Sequence, residues 1–204
     1  MKKRLVGLVL LVCVLTLLGV ACGSSQSTEA DDFAVGTPAA EILEAVKASD
    51  WVVIEDSRVS SGEARMHAFY DACMRGEVGK VKIATYYTLD ADRVSAELYA
   101  QEKDSYPRIF LTELTFDGTE YHVTTRYSIE TEPETTATYP HLVRMQGDAP
   151  TADALYDRYD RYVLADNATL TMTEIERAMF SSVAPLGEHK IGRWHMVYTN
   201  LIGN

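Results

Sequence analysis

Ile109-Phe110-Leu111-Thr112-Glu113-Leu114-Thr115-Phe116-Asp117-Gly118-Thr119-Glu120-Tyr121-His122-Val123 is the stretch that decides the fold. Apolar and polar residues alternate on both sides of Asp117-Gly118, and Asp-Gly between alternating runs marks a two-residue hairpin turn. Pairing outward from that turn matches Leu114 with Tyr121 and Thr112 with Val123. Phe110, Leu114, Phe116, Tyr121 and Val123 then share one face. Glu113, Glu120, His122 and Arg126 share the other, so the hairpin has a dry side and a wet side.

Upstream, Thr37-Pro38 opens a helix, with Thr37 as the cap and Pro38 at the first position. Ala39, Ile42, Leu43 and Val46 form its apolar stripe. Trp51 to Glu55 reads as a short strand. Ser60-x-x-Glu63 has the form of a capping box and starts a helix from Gly62 to Arg75, which Gly76 and Gly79 end. Met66, Phe69, Tyr70 and Cys73 fall on one side of it. Val81, Ile83, Tyr87 and Leu89 alternate as a strand. Ala91 to Ser105 reads either as a helix continuing to Lys103 or as an irregular excursion.

Downstream, Thr131 to Thr138 reads as a polar acidic loop containing Glu132 and Glu134, just after Glu130. His141 to Met145 reads as a strand, followed by a Gly147-Asp148-Ala149-Pro150 turn. Ala152, Leu155, Tyr156 and Tyr159 fit a short helix, and Tyr162 to Ala165 a strand. Thr171-x-x-Glu174 is a second capping box, and its helix runs through Ile175 and Met179. Trp194, Met196 and Tyr198 line one face of the last strand. The expected fold is a single α+β domain over 37–204, an antiparallel sheet with the Gly62 and Met172 helices packed on one face. Phe69, Phe116 and Trp194 are its expected core.

The two ends of the domain share a layout. Val53-Ile54-Glu55-Asp56 and Ser60-x-x-Glu63 precede a helix and a strand; Val163-Leu164-Ala165-Asp166 and Thr171-x-x-Glu174 do the same. An internal repeat and a coincidence of two common units both fit this pattern.

The N-terminus is different in kind. Lys2, Lys3 and Arg4 precede an almost wholly apolar run from Leu5 to Val20. That run is shorter than the ~20 residues that span a bilayer core. A basic start, a short apolar stretch and small residues at its end describe a secretory signal, here 1–21. Leu18-Gly19-Val20-Ala21-Cys22 resembles the lipobox of bacterial lipoproteins. Gly19 stands where the lipobox has a large aliphatic residue, and Leu18 lies one position early. Gly19-Val20-Ala21 also fits an ordinary signal-peptidase site, which cuts the same bond. The resemblance implies a diacylglyceryl group on the Cys22 thiol and a lipid-anchored chain on the extracytoplasmic face of a cell membrane. The segment 22–36 then reads as a flexible tether, too polar to order itself, that holds the domain on the order of 20 Å from its anchor.

Removing the signal takes away three cations and no acids, so the formal charge moves from −11 to −14. That argues against nucleic acid, whose binding depends on phosphate neutralisation. It also argues against electrostatic docking on anionic lipid. Of the three cysteines, Cys13 leaves with the signal and Cys22 is the lipidation site. Cys73 alone remains, so packing and not a disulfide must stabilise the domain. Its place on the apolar helix face fits a small core residue.

Several stretches resemble a family of small bacterial lipoproteins whose domain has no assigned function. The residues that carry the resemblance are Asp50-Trp51-Val52-Val53, Lys80-Val81-Lys82-Ile83 through Tyr86-Tyr87-Thr88, and Leu114-Thr115-Phe116-Asp117-Gly118. Tyr162-Val163-Leu164 and Met179-Phe180-Ser181-Ser182 add to it. It implies an extracytoplasmic α+β domain and lends no catalytic residue.

No nucleophile elbow, phosphate loop, dinucleotide fingerprint or paired-cysteine cluster occurs in the sequence, so no catalytic, cofactor-binding or metal-binding residue is assigned. His189 and His195 flank the last strand and lie about 20 Å apart if it is extended. His122 is expected to face Glu113 across the hairpin. Asp90 and Asp92 read as turn residues. Asp56 and Asp166 each close a strand and are the acids to examine as an acid-base pair. Tyr86, Tyr99, Tyr106, Tyr127 and Tyr139 cannot all be core, and exposed tyrosines suit protein or glycan contacts. The expected function is a non-catalytic envelope module that binds a protein, peptide or glycan. The alternative is a carboxylate-dependent hydrolase acting on envelope material.

Overall fold

The structure is a computed structural model and describes residues 33–34, 36–127, 134–151, 154–180 and 191–203. The stretch read as a signal and Cys22 therefore lie outside the described residues, as do Glu130, Glu132 and His189. Asp32–Asn204 forms one compact unit. Phe33, inside the stretch read as a tether, packs against the first helix cluster.

The fold is α+β, mostly antiparallel, in two sheets. The larger has the order β2-β1-β3-β4-β5-β6 and the smaller β7-β8-β9. Strand β1 (Val52–Glu55) turns at Asp56-Ser57 into β2 (Arg58–Ser61). Both turn residues have positive φ, as a hairpin turn with the right-handed strand twist requires. After α2 (Glu63–Met74) the chain returns as β3 (Gly79–Tyr87), parallel to β1. Helix α3 (Ala96–Glu102) and a 3-10 turn fill the Ala91–Ser105 stretch, and the Ser95 hydroxyl accepts from the Leu98 N–H to cap α3. Strands β4 (Arg108–Phe116), β5 (Tyr121–Tyr127) and β6 (Thr135–Tyr139) complete the larger sheet. The chain turns at Pro140 into β7 (His141–Asp148), then β8 (Arg158–Ala165), α4 (Met172–Phe180) and β9 (Trp194–Ile202).

Helix α1 (Ala39–Lys47) covers the outer face of the larger sheet: its Ile42, Leu43 and Val46 pack with Trp51, Val53, Ala84, Ile109 and Leu111. Helix α2 lies on the opposite face. Its Met66, Phe69 and Cys73 join Ile83, Leu114, Phe116 and Val123 of the larger sheet and Leu142, Tyr162, Leu164 and Tyr198 of the smaller one. Helix α4 covers the far face of the smaller sheet with Met172 and Ile175. The helices thus take separate faces of a divided sheet. Pro140 alone links β6, the last strand of the larger sheet, to β7, the first of the smaller.

Several local details differ from the expectations. The Asp117-Gly118 hairpin forms with the expected faces, but Phe116 pairs with Tyr121 and Leu114 with Val123. The loop has four residues because the Asp117 carboxylate accepts from the Thr119 and Glu120 N–H groups. A slip of two residues preserves side-chain parity, so the sorting of faces survives it. Pro38, not Thr37, is the cap of α1, and the Thr37 hydroxyl donates to the Ala34 carbonyl. Ser60 and Ser61 belong to β2, and Gly62 in the left-handed region precedes α2 with no side-chain cap. A Cβ on Gly62 would lie 2.5 Å from the Trp51 carbonyl, so this junction requires glycine.

Thr135 to Thr138 is strand β6 and not loop. Tyr159 is in β8, and the described part of the stretch read as a helix near Leu155 is turn and bend. In β9 a bulge opposite Tyr162 and Val163 turns both Val197 and Tyr198 toward α2, while Trp194 and Met196 pack on the α4 side. Trp194 is consequently half-buried, whereas Phe69 and Phe116 are buried. The two similar ends are not a repeat: β1 and β3 are parallel neighbours, whereas β8 and β9 are antiparallel neighbours.

Candidate functional site

Between α2 and the smaller sheet the inward-facing residues stop being apolar. Alternation along β8 puts Asp160 on the same face as Tyr162 and Leu164, and alternation along β7 puts Arg144 on the same face as Leu142. Strand pairing brings the two charges together. Arg144 Nε donates to Asp160 Oδ1 at 3.0 Å and Nη2 to Oδ2 at 2.6 Å. This bidentate fork holds a carboxylate that is only 4 % exposed. The bond to Asp160 pushes the Arg144 guanidinium further above its ordinary range. His67 of α2 completes the cluster, its Nε2 lying 3.3 Å from Asp160 Oδ2 and 3.3 Å from Arg144 Nη2.

Aromatic rings surround these charges. Arg144 lies over the Tyr162 ring at 5.3 Å, and Tyr162 meets Tyr70 and Tyr198 edge-on at 5.1 and 5.2 Å. The Tyr162 and Tyr198 hydroxyls are buried with no hydrogen-bond partner among the described residues. Burial pushes both phenols well above their ordinary range. Buried Asn200 of β9 ties the neighbouring β2 to α2: its Oδ1 accepts from the Val59 N–H and its Nδ2 donates to Glu63 Oε1. His67 and Asp160 have the spacing of a base and its orienting acid. No hydroxyl or thiol bonds His67 among the described residues, so the cluster lacks the nucleophile that such a relay serves.

The acids selected from the sequence are held elsewhere, each by its own partner. Asp56 Oδ1 accepts from the Thr88 N–H at 2.8 Å and Oδ2 from the Thr88 hydroxyl at 2.7 Å, which closes the end of β3 against the β1–β2 turn. Asp166 takes both a side-chain fork and the backbone N–H from Arg193, at 2.9 to 3.1 Å. The Arg193 guanidinium beside it lowers the Asp166 carboxyl below its usual range. Asp90 is a turn residue: it accepts from the Asp92 N–H and pairs with Arg93. His122 meets Asp117 at 2.9 Å and not Glu113, because the four-residue loop moves it opposite Thr115; Glu113 pairs with Lys80 instead. His195 is partly buried, and burial lowers its pKa. Among the described residues no three His, Cys, Asp or Glu side chains converge as metal ligands.

The tyrosines divide. Tyr139 is buried, with Arg193 over its ring at 5.1 Å. Tyr86 packs partly against the α1 cluster. Tyr99 is partly exposed, and so is Tyr106, which carries Arg108 over its ring at 4.5 Å. Tyr127 stacks on Phe110 at 4.9 Å, and exposed Tyr87 meets Phe110 edge-on at 6.0 Å. These three rings form a row across β3, β4 and β5. Behind it the Thr112 and Thr125 hydroxyls bond each other at 3.0 Å.

Compared with known protein families, with proteins of curated function and with solved structures, the chain matches none.

Proposed function

We propose that the chain is a lipid-anchored extracytoplasmic module, fixed to a cell membrane through Cys22, whose domain binds an envelope protein, peptide or glycan without catalysis. Its kinship with the small lipoproteins of unassigned domain function is part of the same proposal. The observation that carries the binding reading is the pairing of the acids. Asp56 is committed to Thr88, Asp166 to Arg193 and Asp160 to Arg144, in three separate places. A catalytic pair needs two carboxylates on one substrate with environments that split their pKa values. The half-exposed row Tyr87, Phe110 and Tyr127 offers large rigid area with polar tips, which suits a peptide or glycan surface.

The test uses isolated cell-wall glycan and envelope protein with the mature chain carrying Cys22→Ala. The expected result is saturable retention on envelope material with no release of soluble fragments. A double variant, Asp56→Ala with Asp166→Ala, should retain whatever the parent chain retains if it stays folded. Hydrolysis by the parent chain that this folded double variant loses would replace the binding reading with the carboxylate hydrolase.

A further inference from the structure

Strand β3 is longer than the neighbour it pairs with on one side. Along β4 it is paired over its whole length, Gly79 to Tyr87. On its other side β1 reaches only Ile83 to Tyr86. The Tyr86 carbonyl accepts from the Asp56 N–H, so residue 86 points its backbone groups away from β4. Backbone direction alternates along a regular strand, and β3 carries no bulge. Lys80 therefore presents its N–H and C=O to the same side, below the point where β1 begins. An unpaired strand edge of this kind is a template for another extended chain.

An open groove of about 550 Å³ lies along that edge. Its floor comes from α2, where Ala68, Phe69 and Ala72 face Gly79 and Val81. Gly79 lies beside the Phe69 ring, at a distance where a Cβ would make ordinary contact at 3.4 Å. The rim carries three cations, Arg65, Lys80 and Lys82, against the acid Asp50 and the Glu113 carboxylate paired with Lys80. This concentration of positive charge sits on a chain of net charge −11. The three cations have local partners that position them: Arg65 donates to the Trp51 carbonyl, Lys80 pairs with Glu113, and Lys82 lies over the Trp51 ring.

We propose that this groove is a strand-addition site for an extended acidic peptide segment of a partner protein. The segment lies alongside Gly79–Val81, beyond the point where Asp50 and Trp51 lead into β1, exchanges backbone hydrogen bonds with Lys80, and lays alternate apolar side chains on Phe69. Its carboxylates meet the Arg65, Lys80 and Lys82 rim. Backbone pairing gives the affinity of such additions, and alternate side chains give the specificity. The proposal rests on the binding-module reading and names the class of partner for one site.

The test uses the mature chain carrying Cys22→Ala and a fluorescent octapeptide of alternating Glu and Val, with an octapeptide of alternating Lys and Val as the control. The acidic peptide should bind saturably, and the basic one about tenfold more weakly or worse. Arg65→Glu should weaken the acidic peptide by about tenfold. Lys80→Pro removes the edge N–H without touching the β4 ladder, and should abolish binding. In the wild-type chain the Lys80 amide should exchange with solvent when the peptide is absent and become protected when it is added. That measurement holds whether or not the proline variant folds.

Absence of saturable binding, or equal binding by folded Lys80→Pro, overturns the site. So does a Lys80 amide already protected without peptide, whether by a second copy or by the chain's own N-terminal segment. If the acidic peptide does not bind but the parent chain still retains envelope material, the groove is overturned and the binding module stands. Hydrolysis of that material lost in the aspartate double variant overturns the module itself.

Discussion

Cys73 illustrates how far one residue can be read from its spacing. Its place in line with Met66 and Phe69 predicts a core thiol, and it is 4 % exposed among those neighbours. Burial pushes its pKa up to about 11, against a smaller opposing effect of the Tyr121 hydroxyl bond. The thiolate is the nucleophile, so at pH 8 almost none is available. In the mature chain carrying Cys22→Ala, iodoacetamide at pH 8 should leave Cys73 unmodified in the native state and alkylate it after unfolding in guanidinium. Mass spectrometry of the native sample checks this, and rapid native alkylation would mean that the helix face is open. By contrast, the sequence gives no sign of where Asp56 and Asp166 bind. Their partners, Thr88 and Arg193, are 32 and 27 residues away and are brought close only by strand pairing.

Two identical patterns separate what is legible in an element from what is not. Thr171-x-x-Glu174 forms the box that its residues promise. Glu174 Oε2 accepts from the Thr171 N–H, and the Thr171 hydroxyl accepts from the Glu174 N–H. Ser60-x-x-Glu63 forms none, because both serines lie in β2, Ser61 paired with Val53 and Ser60 at the register shift beside it, and Glu63 turns to Asn200. Thr171→Ala should therefore cost about 1 kcal/mol. Ser60→Ala, whose hydroxyl bonds the Val53 carbonyl at a long 3.4 Å and the Glu55 carboxylate but caps no helix N–H, should cost less than about half of that. Chemical denaturation of both variants checks the contrast, and equal losses would contradict the assignment of the caps.

The signal available for the failed box was Gly62, which sits where a helix cap would otherwise bring a side chain. The hairpin register was missed for a related reason. Asp117 serves the loop with its side chain, and this local choice is invisible in an alternation of apolar residues. The bulge in β9 likewise hides from periodicity, which assigns Trp194 and Tyr198 to one face when an extra residue separates them.

At the scale of the molecule, hydrophobic patterning predicted an α+β, mostly antiparallel domain, and this is what the chain forms. It did not predict two sheets, because alternation places residues on faces and does not say which strands pair across the link at Pro140. Nor did it find the Arg144–Asp160–His67 cluster, whose members come from three elements and reach from position 67 to position 160. The available signal was a charged residue on the inward face of each of two strands, Arg144 beside Leu142 and Asp160 beside Tyr162. This ion pair ties adjacent strands where α2 meets the smaller sheet. Asp160→Ala leaves the Arg144 guanidinium, 27 % exposed, without its counter-charge, and should cost about 2–4 kcal/mol by chemical denaturation. A loss below about 1 kcal/mol would mean that water replaces the carboxylate fully.

The domain's acids, aromatics and groove have an envelope role only if the chain is exported and anchored, and that depends on the Leu5 to Cys22 segment. The most direct measurement is metabolic labelling of cells with radioactive palmitate, followed by fractionation. The wild-type chain should take up label and sediment with membranes. Cys22→Ala should take up none and should remain unprocessed or appear in the soluble fraction. A processed wild-type chain that carries no fatty acid would contradict the lipid anchor.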